Sequence, residues 1–564
     1  MACIASKEVT CEQDILSAMM DVSCERDIGF IPEDSVQFFP MKKRKDWAAA
    51  LLISVCAAFI TLLPFIYASV RVNPGFEFTG FLLNPWDGFT YLAKMQQGEA
   101  GAWGFQLPYA LDPGPETYLY LYYILLGKFA SWIGSDLIVV FHGARFLAST
   151  GMFFLAYLLF KRVLPDRRTT WFAFLLVLFG SGLGWLPLLL HGVETSDIAI
   201  PESIPFLLAY SNAHFPVAAA SILGAILAML GTGTKLWIRA AVAFVCGSVL
   251  AIVLPFSVVS LIVTLSVWIA WEWRAGGGGS ILQFLRGKNR ARSITFFWLL
   301  LAMVPWILYD TWIVLAHPVI SAWSSQNITP SPPLWQYLFG YGLILLLSVI
   351  GVIRAKPFAT STGRLLIVWG VSGFLLLYAP IGLQRRLNLG LFFPLAALAA
   401  FGLSSIATRV RSFWATAIIL LILTLPSNLI VVTAGLYAVS NDEAVVLHTS
   451  DELNAFEWLG ENISEGTVIL AAPVIGNRLP SYSGARVLFG HPFETPNADE
   501  SKQRVLDYYA WIGSSQMAIT SLQKDGVELI FFGPQEELIG TPNWLEALPV
   551  IAEFGEVRIF KVTP

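Results

Sequence analysis

The feature that most narrows what this chain can fold into is a train of apolar runs, each about 20 residues long, recurring from about residue 46 to about residue 439. A run of that length crosses the hydrocarbon of a bilayer as a helix, the form in which every backbone N–H and C=O finds a partner within its own segment. Hydrophobic residues make up 56% of the 564 and charged residues 13%, which excludes a string of soluble domains over most of the length. The sequence therefore predicts an α-helical polytopic membrane protein of about 11 spans. They are placed at roughly 47–69, 136–160, 170–190, 214–231, 237–254, 256–273, 293–315, 335–353, 365–381, 388–407 and 413–437. Ordinary soluble composition returns from 441 to 564.

The net charge is only −4, so no global field points to a nucleic-acid partner. Cysteines fall at Cys3, Cys11, Cys24, Cys56 and Cys246, a pattern that implies neither a disulfide framework nor a zinc knuckle. Residues 1–46 are expected to be a cytoplasmic tail. Its first 40 residues are polar and acidic, lack helical apolar periodicity and predict disorder, and they do not form a signal peptide. MKKRKDW, from Met41, has the look of a start of its own.

Basic residues set the orientation. Lys42, Lys43, Arg44 and Lys45 hold the N-terminal end in the cytoplasm, because short basic flanks resist translocation. If the stretch 117–134 crossed the bilayer, KRVLPDRR at 161–168 would land outside; the better reading lays 117–134 along the outer interface with its tyrosines at head-group depth. The basic clusters at Lys235/Arg239, 274–292, Arg354/Lys356/Arg364 and Arg409/Arg411 then all become cytoplasmic. The loop 70–135 and the segment from 441 become external. Gly276–Gly279 reads as a flexible linker, since no phosphate-loop GK[ST] follows it. The spans hold no ladder of acids and lysines of the kind an ion path needs.

Polar residues gather instead at the outer ends: Asp87, Lys94, Asp112, Glu116, Arg145, His191, Glu194, Asp197, Glu202, Asn212, His214, Arg385 and Arg386. Asp87, in NPWDGFTYLAKM, is the sharpest. A carboxylate just outside a span can act as general base on a hydroxyl or ligate a metal holding a phosphate; it is also where an acid would begin a helix, and the two roles are compatible. Arg385 and Arg386 lie at an outer helix end where basic residues are disfavoured. A pair of guanidiniums there suits a lipid-linked phosphate, or else anchors the helix by snorkelling. Arg145 either assists them or pairs with a neighbouring helix end. His214, in HFP, is a helix entry or a phosphate contact. Glu116 fits the N-terminal charge of the interface helix, and Glu194, Asp197 and Glu202 are loop acids of which one is a possible second acid.

These parts resemble, in their order, the GT-C superfamily of polytopic glycosyltransferases: an acid in the first external loop (Asp87), an interface helix feeding a span with an arginine (Arg145), an Arg pair before a late span (Arg385, Arg386), and an external C-terminal segment. The resemblance implies a polyprenyl-phosphate-linked sugar as donor and an inverting transfer to an acceptor hydroxyl on the outer face of the plasma membrane. It implies Asp87 as the base, and Arg385 and Arg386, with Arg145 and His214, as groups that bind the donor phosphate. Tyr91, Lys94, Glu116, Glu202, His491 and Glu494 are the acceptor-side or supporting residues. Many members carry paired acids, whereas Asp87 is followed by Gly88, so no metal and no other cofactor is predicted.

After 441 the sequence alternates helix, strand, loop, strand, helices, strand, helix and two strands, predicting a small α/β domain. The stretch 469–495 reads as a binding loop exposing Arg478, Tyr482, His491 and Glu494, without GxSxG, HExxH or GxGxxG. Two competing readings stand beside the transferase: a transporter or flippase for a lipid-linked substrate, which calls for inverted repeats and broken helices, and a non-catalytic membrane scaffold.

Overall fold

Seven helices are long and apolar enough to cross a bilayer: Lys45–Arg71, Leu137–Val163, Leu236–Val253, Ser257–Ala275, Arg290–Ala316, Leu334–Ala355 and Val410–Ser440. They belong to a computed structural model that describes residues 42–562 apart from 232, 288 and 408. The expectations for the tail, its three cysteines and a start at Met41 lie outside the described residues. Three further expected spans form helices of fewer than 18 residues, His214–Leu230, Ser361–Leu376 and Phe392–Ile406. The remaining one, 170–190, is broken into Arg167–Phe179 and Trp185–His191.

The break has a local cause. Asp197 Oδ2 accepts from the Ser181 hydroxyl (3.2 Å) and from the N–H groups of Gly182 (3.0 Å) and Gly184 (3.2 Å). Backbone donors that a continuous helix would have satisfied find a carboxylate instead. Asp197 is thus fully buried, a correction to its reading as a loop acid open to solvent. The chain is a multi-pass membrane protein whose eleven expected segments include seven of full spanning length.

Between the first two long helices lie the elements that position the site. Strand β1 (Phe76–Phe78) is followed by the helices Pro85–Glu99 and Leu121–Ile133. The two helices meet backbone to backbone: a Cβ on Gly98 would stand 2.1 Å from the Ile124 carbonyl oxygen, and one on Gly127 1.8 Å from that of Met95. Only glycine allows that approach. The second helix starts at Leu121, four residues later than its apolar run suggested, because Thr117 pairs its backbone with Phe105. It leaves Leu125, Phe129 and Trp132 exposed on one side, as a helix lying against lipid would.

Past the last long helix, β2 (Leu447–Thr449) pairs antiparallel with β1, tying the end of the bundle to the first loop. Five more strands, β3 (Val468–Leu470), β4 (Arg486–Val487), β5 (Leu529–Phe532), β6 (Val550–Phe554) and β7 (Val557–Lys561), form one sheet in the order β4-β3-β5-β7-β6. It is parallel from β4 to β5 and antiparallel beyond. The helices Ser450–Asn462, Ala498–Tyr509 and Ser515–Lys524 fall where the alternation placed them. The supposed binding loop does not hold. Its first half is a helix, Pro473–Ser483, and Arg478, His491 and Glu494 are buried, not exposed, with Tyr482 half-buried. Arg478 spends its charge on Glu452 (3.5 Å) and the ring of His448 (3.0 Å), a buried polar group beneath β2.

Candidate functional site

The helix Pro85–Glu99 begins with Pro at its first position and Asp87 in its first turn, where a negative charge is favoured by the unpaired N–H groups of the helix end. Asp87, Tyr91 and Lys94, spaced four and then three apart, line one face. Gly88 is fixed by sterics: a Cβ there would lie 2.5 Å from the ring of Phe81. The absence of a second adjacent acid follows from that packing.

Three residues reach Asp87 from distant parts of the chain. The Nε2 of His491 stands 3.1 Å from Asp87 Oδ1. Arg386, in the turn Gln384–Asn388, places its positive charge within reach of Asp87, Tyr91 and Glu202. Lys94 adds a second positive field. The Asp87 side chain is 41% exposed, so it opens to solvent on one side. Partial desolvation pushes its pKa up, but the hydrogen bond and charge of His491, then Arg386 and Lys94, push harder, and the carboxyl titrates below its ordinary value. It is ionised at neutral pH, as a base must be before it takes a proton.

Arg386 is held in place. Its Nη2 donates to Asn327 Oδ1 (3.2 Å), and its guanidinium lies 5.3 Å from the centre of the Phe256 ring. The turn carrying it is tied to the turn carrying Glu202 by Asn388, whose Nδ2 donates to the Ser203 hydroxyl (2.7 Å). Glu202 is buried; burial raises its pKa, against the lowering fields of Arg386 and, more weakly, Arg385. Arg385 acts on Glu202 and Tyr337, not on Asp87. The arginine pair therefore faces two carboxyls, one open and one buried.

His214 opens its helix as expected and is buried, its Nδ1 2.7 Å from the Tyr123 hydroxyl and its ring 5.0 Å from that of Tyr91. Tyr91 in turn stacks on Tyr123 at 4.5 Å. Lys94 has no exposed side-chain surface and meets both carboxylate oxygens of Glu494 at 2.8 Å, with the Tyr120 ring 4.2 Å away. Burial pulls its pKa down and Glu494 opposes that. Both members of the pair are consumed by each other.

Two of the expected site residues are not brought here. Arg145 is fully buried, donating to the carbonyls of Tyr210 and Ser211 and lying 4.1 Å from the centre of the Phe65 ring; it clasps the chain before the His214–Leu230 helix. Glu116 is exposed and sits five residues before the helix it was expected to begin. It lines a polar cleft of about 520 Å³ with Gln96, Gln106, Glu465 and Arg486. Neither that cleft nor a cavity of about 350 Å³ between Tyr109, Pro318 and Leu488 is lined by Asp87 or Arg386. Asn327 and Tyr123 were missed. Asn327 stood in the sequence as the start of an NIT sequon, a signal for something else, and Tyr123 as one of several interfacial tyrosines.

No family model matches the sequence. No curated protein matches it. Among solved structures, the fold is similar to the oligosaccharyltransferase of Archaeoglobus fulgidus, tethered to an acceptor peptide containing the NVT sequon, at TM-score 0.53 and 14% identity over 87% of this chain and 69% of that one. It is similar to ArnT of Cupriavidus metallidurans bound to undecaprenyl phosphate, at 0.50 and 12% over 92% and 98%. It is also similar to the mycobacterial arabinofuranosyltransferase AftD, at 0.53 and 14% over 92% of this chain and 40% of that one. The chain has the GT-C fold.

In this GT-C chain the residues around Asp87 are a poor match to a metal site. The acid after Asp87 that the family pattern would supply is excluded by Phe81, Glu494 is spent on Lys94, and the group closest to the carboxylate is an imidazole. Among the described residues no three of His, Cys, Asp or Glu cluster closely enough to hold an ion. No chemical step is therefore derived through one.

Proposed function

We propose that this protein is a glycosyltransferase that moves a sugar from a polyprenyl-phosphate donor to an acceptor hydroxyl at the outer face of the plasma membrane. Asp87 takes the acceptor proton as its oxygen attacks the anomeric carbon. The bond from that carbon to the phosphate oxygen breaks, and polyprenyl phosphate leaves with the electron pair. Attack opposite the leaving group inverts the centre. Arg386, with Arg385 beside it, offsets the charge on the departing phosphate. The observation that carries this reading is the pairing of an ionised, half-open Asp87 with a guanidinium fixed from the other end of the chain. Support also comes from ArnT, a protein of the same fold bound to undecaprenyl phosphate.

The test is release of undecaprenyl phosphate, the product common to every such donor, from membranes supplied with a panel of undecaprenyl-phosphate sugars. Asp87→Asn is expected to slow it by about 10²–10⁴-fold; an unchanged rate removes Asp87 as the base. The outer-face assignment is tested separately by cysteine labelling of intact cells. Ser131→Cys is expected to react with a membrane-impermeant maleimide and Arg167→Cys to stay unlabelled.

A further inference from the structure

The stretch 490–497, between β4 and the helix Ala498–Tyr509, is bound to the Asp87 helix more specifically than a connecting loop needs to be. It folds on itself first: Thr495 Oγ1 accepts from the N–H groups of Gly490 (3.2 Å) and His491 (3.1 Å), and the Thr495 N–H donates to the His491 carbonyl (2.9 Å). It then grips the helix at two points two turns apart. His491 meets Asp87, and Glu494 meets Lys94. A spacing of three in the loop thus matches a spacing of seven on one helix face. From its other side Gln326 holds the loop, donating to the Thr495 carbonyl and accepting from the Asn497 N–H (3.0 Å). The next residue, Asn327, is the one that holds Arg386. One loop is therefore linked through protein contacts to both the carboxylate and the guanidinium.

The ring of His491 is fixed in its tautomer. The Phe493 N–H points at Nδ1 (3.2 Å), which makes Nδ1 the acceptor and leaves the proton of a neutral ring on Nε2, directed at Asp87 Oδ1. The side chain is 5% exposed and its ring lies between those of Trp86 (6.5 Å) and Phe493 (6.1 Å). An oxygen so held leaves the other carboxylate oxygen, on the open side, to face an incoming hydroxyl.

From this geometry we infer that His491 is the positioning residue for Asp87, orienting the carboxylate and keeping it ionised through an Nε2–H bond, and that the 490–497 loop is built to hold it there. The inference rests on the reading of Asp87 as base. Removing the N–H raises the pH at which Asp87 gains its proton. The other titratable and charged groups whose fields meet that of Asp87 are Arg386, Lys94 with Glu494, Glu202, His214 and the tyrosines 91, 109, 120 and 123. All of them remain in the variants that follow.

Two variants separate the proton donor from the packing. His491→Gln keeps an N–H donor and gives up the ring; His491→Phe keeps the ring and gives up the donor. In the undecaprenyl phosphate release assay, His491→Phe is expected to move the acid limb of the pH–rate profile upward and to lower kcat about tenfold, one unit of pKa being a factor of ten, with donor KM unchanged. His491→Gln is expected to stay near the parent profile. Coincident acid limbs for the two variants and the parent overturn the inference. A measurement that needs no turnover uses ¹⁵N-histidine labelling of the full chain in nanodiscs, where the six histidines are few enough to assign by substitution. An Nε2-protonated His491 whose proton resonance moves on Asp87→Asn supports the pair, and a resonance indifferent to that change overturns it. If Asp87→Asn transfers sugar at the parent rate while its His491 resonance moves, the pair stands and the assignment of Asp87 as base is what fails.

Discussion

Arg386 and Arg145 make the instructive comparison. In sequence they look alike, each a lone departure from the apolar pattern near the outer end of a span, and each invited assignment to a phosphate. In the fold they differ in what satisfies them. Arg145 is buried against two backbone carbonyls and the Phe65 ring. Arg386 is anchored by one hydrogen bond to Asn327, and its charge reaches the open carboxylate of Asp87. A guanidinium that has been given carbonyls closes the space between helices; one that faces a half-exposed acid leaves a field for a ligand to enter. Position at a helix end does not separate the two. The partner does.

The sharpest test of that distinction uses a third cation, Lys94, whose charge is wholly consumed. Glu494→Gln leaves an ammonium buried without its counter-charge, which is expected to cost about 3–5 kcal/mol of stability and to lower the thermal unfolding midpoint in detergent. Lys94→Met combined with Glu494→Leu is expected to recover most of that loss, because well-packed apolar groups avoid the desolvation of both charges. Next in size, Arg145→Met leaves the Tyr210 and Ser211 carbonyls without their donor and is expected to cost about 1–3 kcal/mol. Affinity for undecaprenyl phosphate should stay as it was. Arg386→Ala is expected to do the reverse, weakening that affinity about tenfold, as one charge-assisted hydrogen bond of about 1.5 kcal/mol would, with little change in the unfolding midpoint. If the two arginine variants lose affinity alike, the comparison fails.

The smallest effect is on pH dependence. Asp87 is held below its ordinary pKa, so activity that needs its carboxylate is expected to be flat through neutrality and to fall only as the pH drops through that lowered value. Arg386→Ala removes one lowering field and moves the acid limb upward by a fraction of a unit, whereas Arg145→Met leaves it in place. A pH–rate profile of the two variants side by side distinguishes them.

Much of the fold was legible because lipid imposes it. An apolar run of spanning length has few ways to satisfy its backbone, and the places of the long helices could be read directly, as could the alternation of strands and helices after residue 441. The broken helix at 180–184 was not, since nothing local to that stretch announces that Asp197 will supply the acceptor. Within the site, Asp87 stood out by its context, and Arg386 by violating the charge bias. Glu494 and His491 were visible only as polar residues in a stretch taken for an exposed loop; their burial against the Asp87 helix is a contact about 400 residues distant in sequence, which no periodicity encodes.

By itself, then, the sequence determined the membrane-spanning class, the order of the segments and the residue types that break the apolar pattern, because these depend on local composition and on the solvent around each segment. Tertiary structure alone decided which of those charged residues neutralise each other and which remain to act. A buried charge must be paired wherever the chain happens to bring a partner, and the partners of Asp87, Lys94 and Arg386 are supplied by segments that approach one another only when the chain has folded.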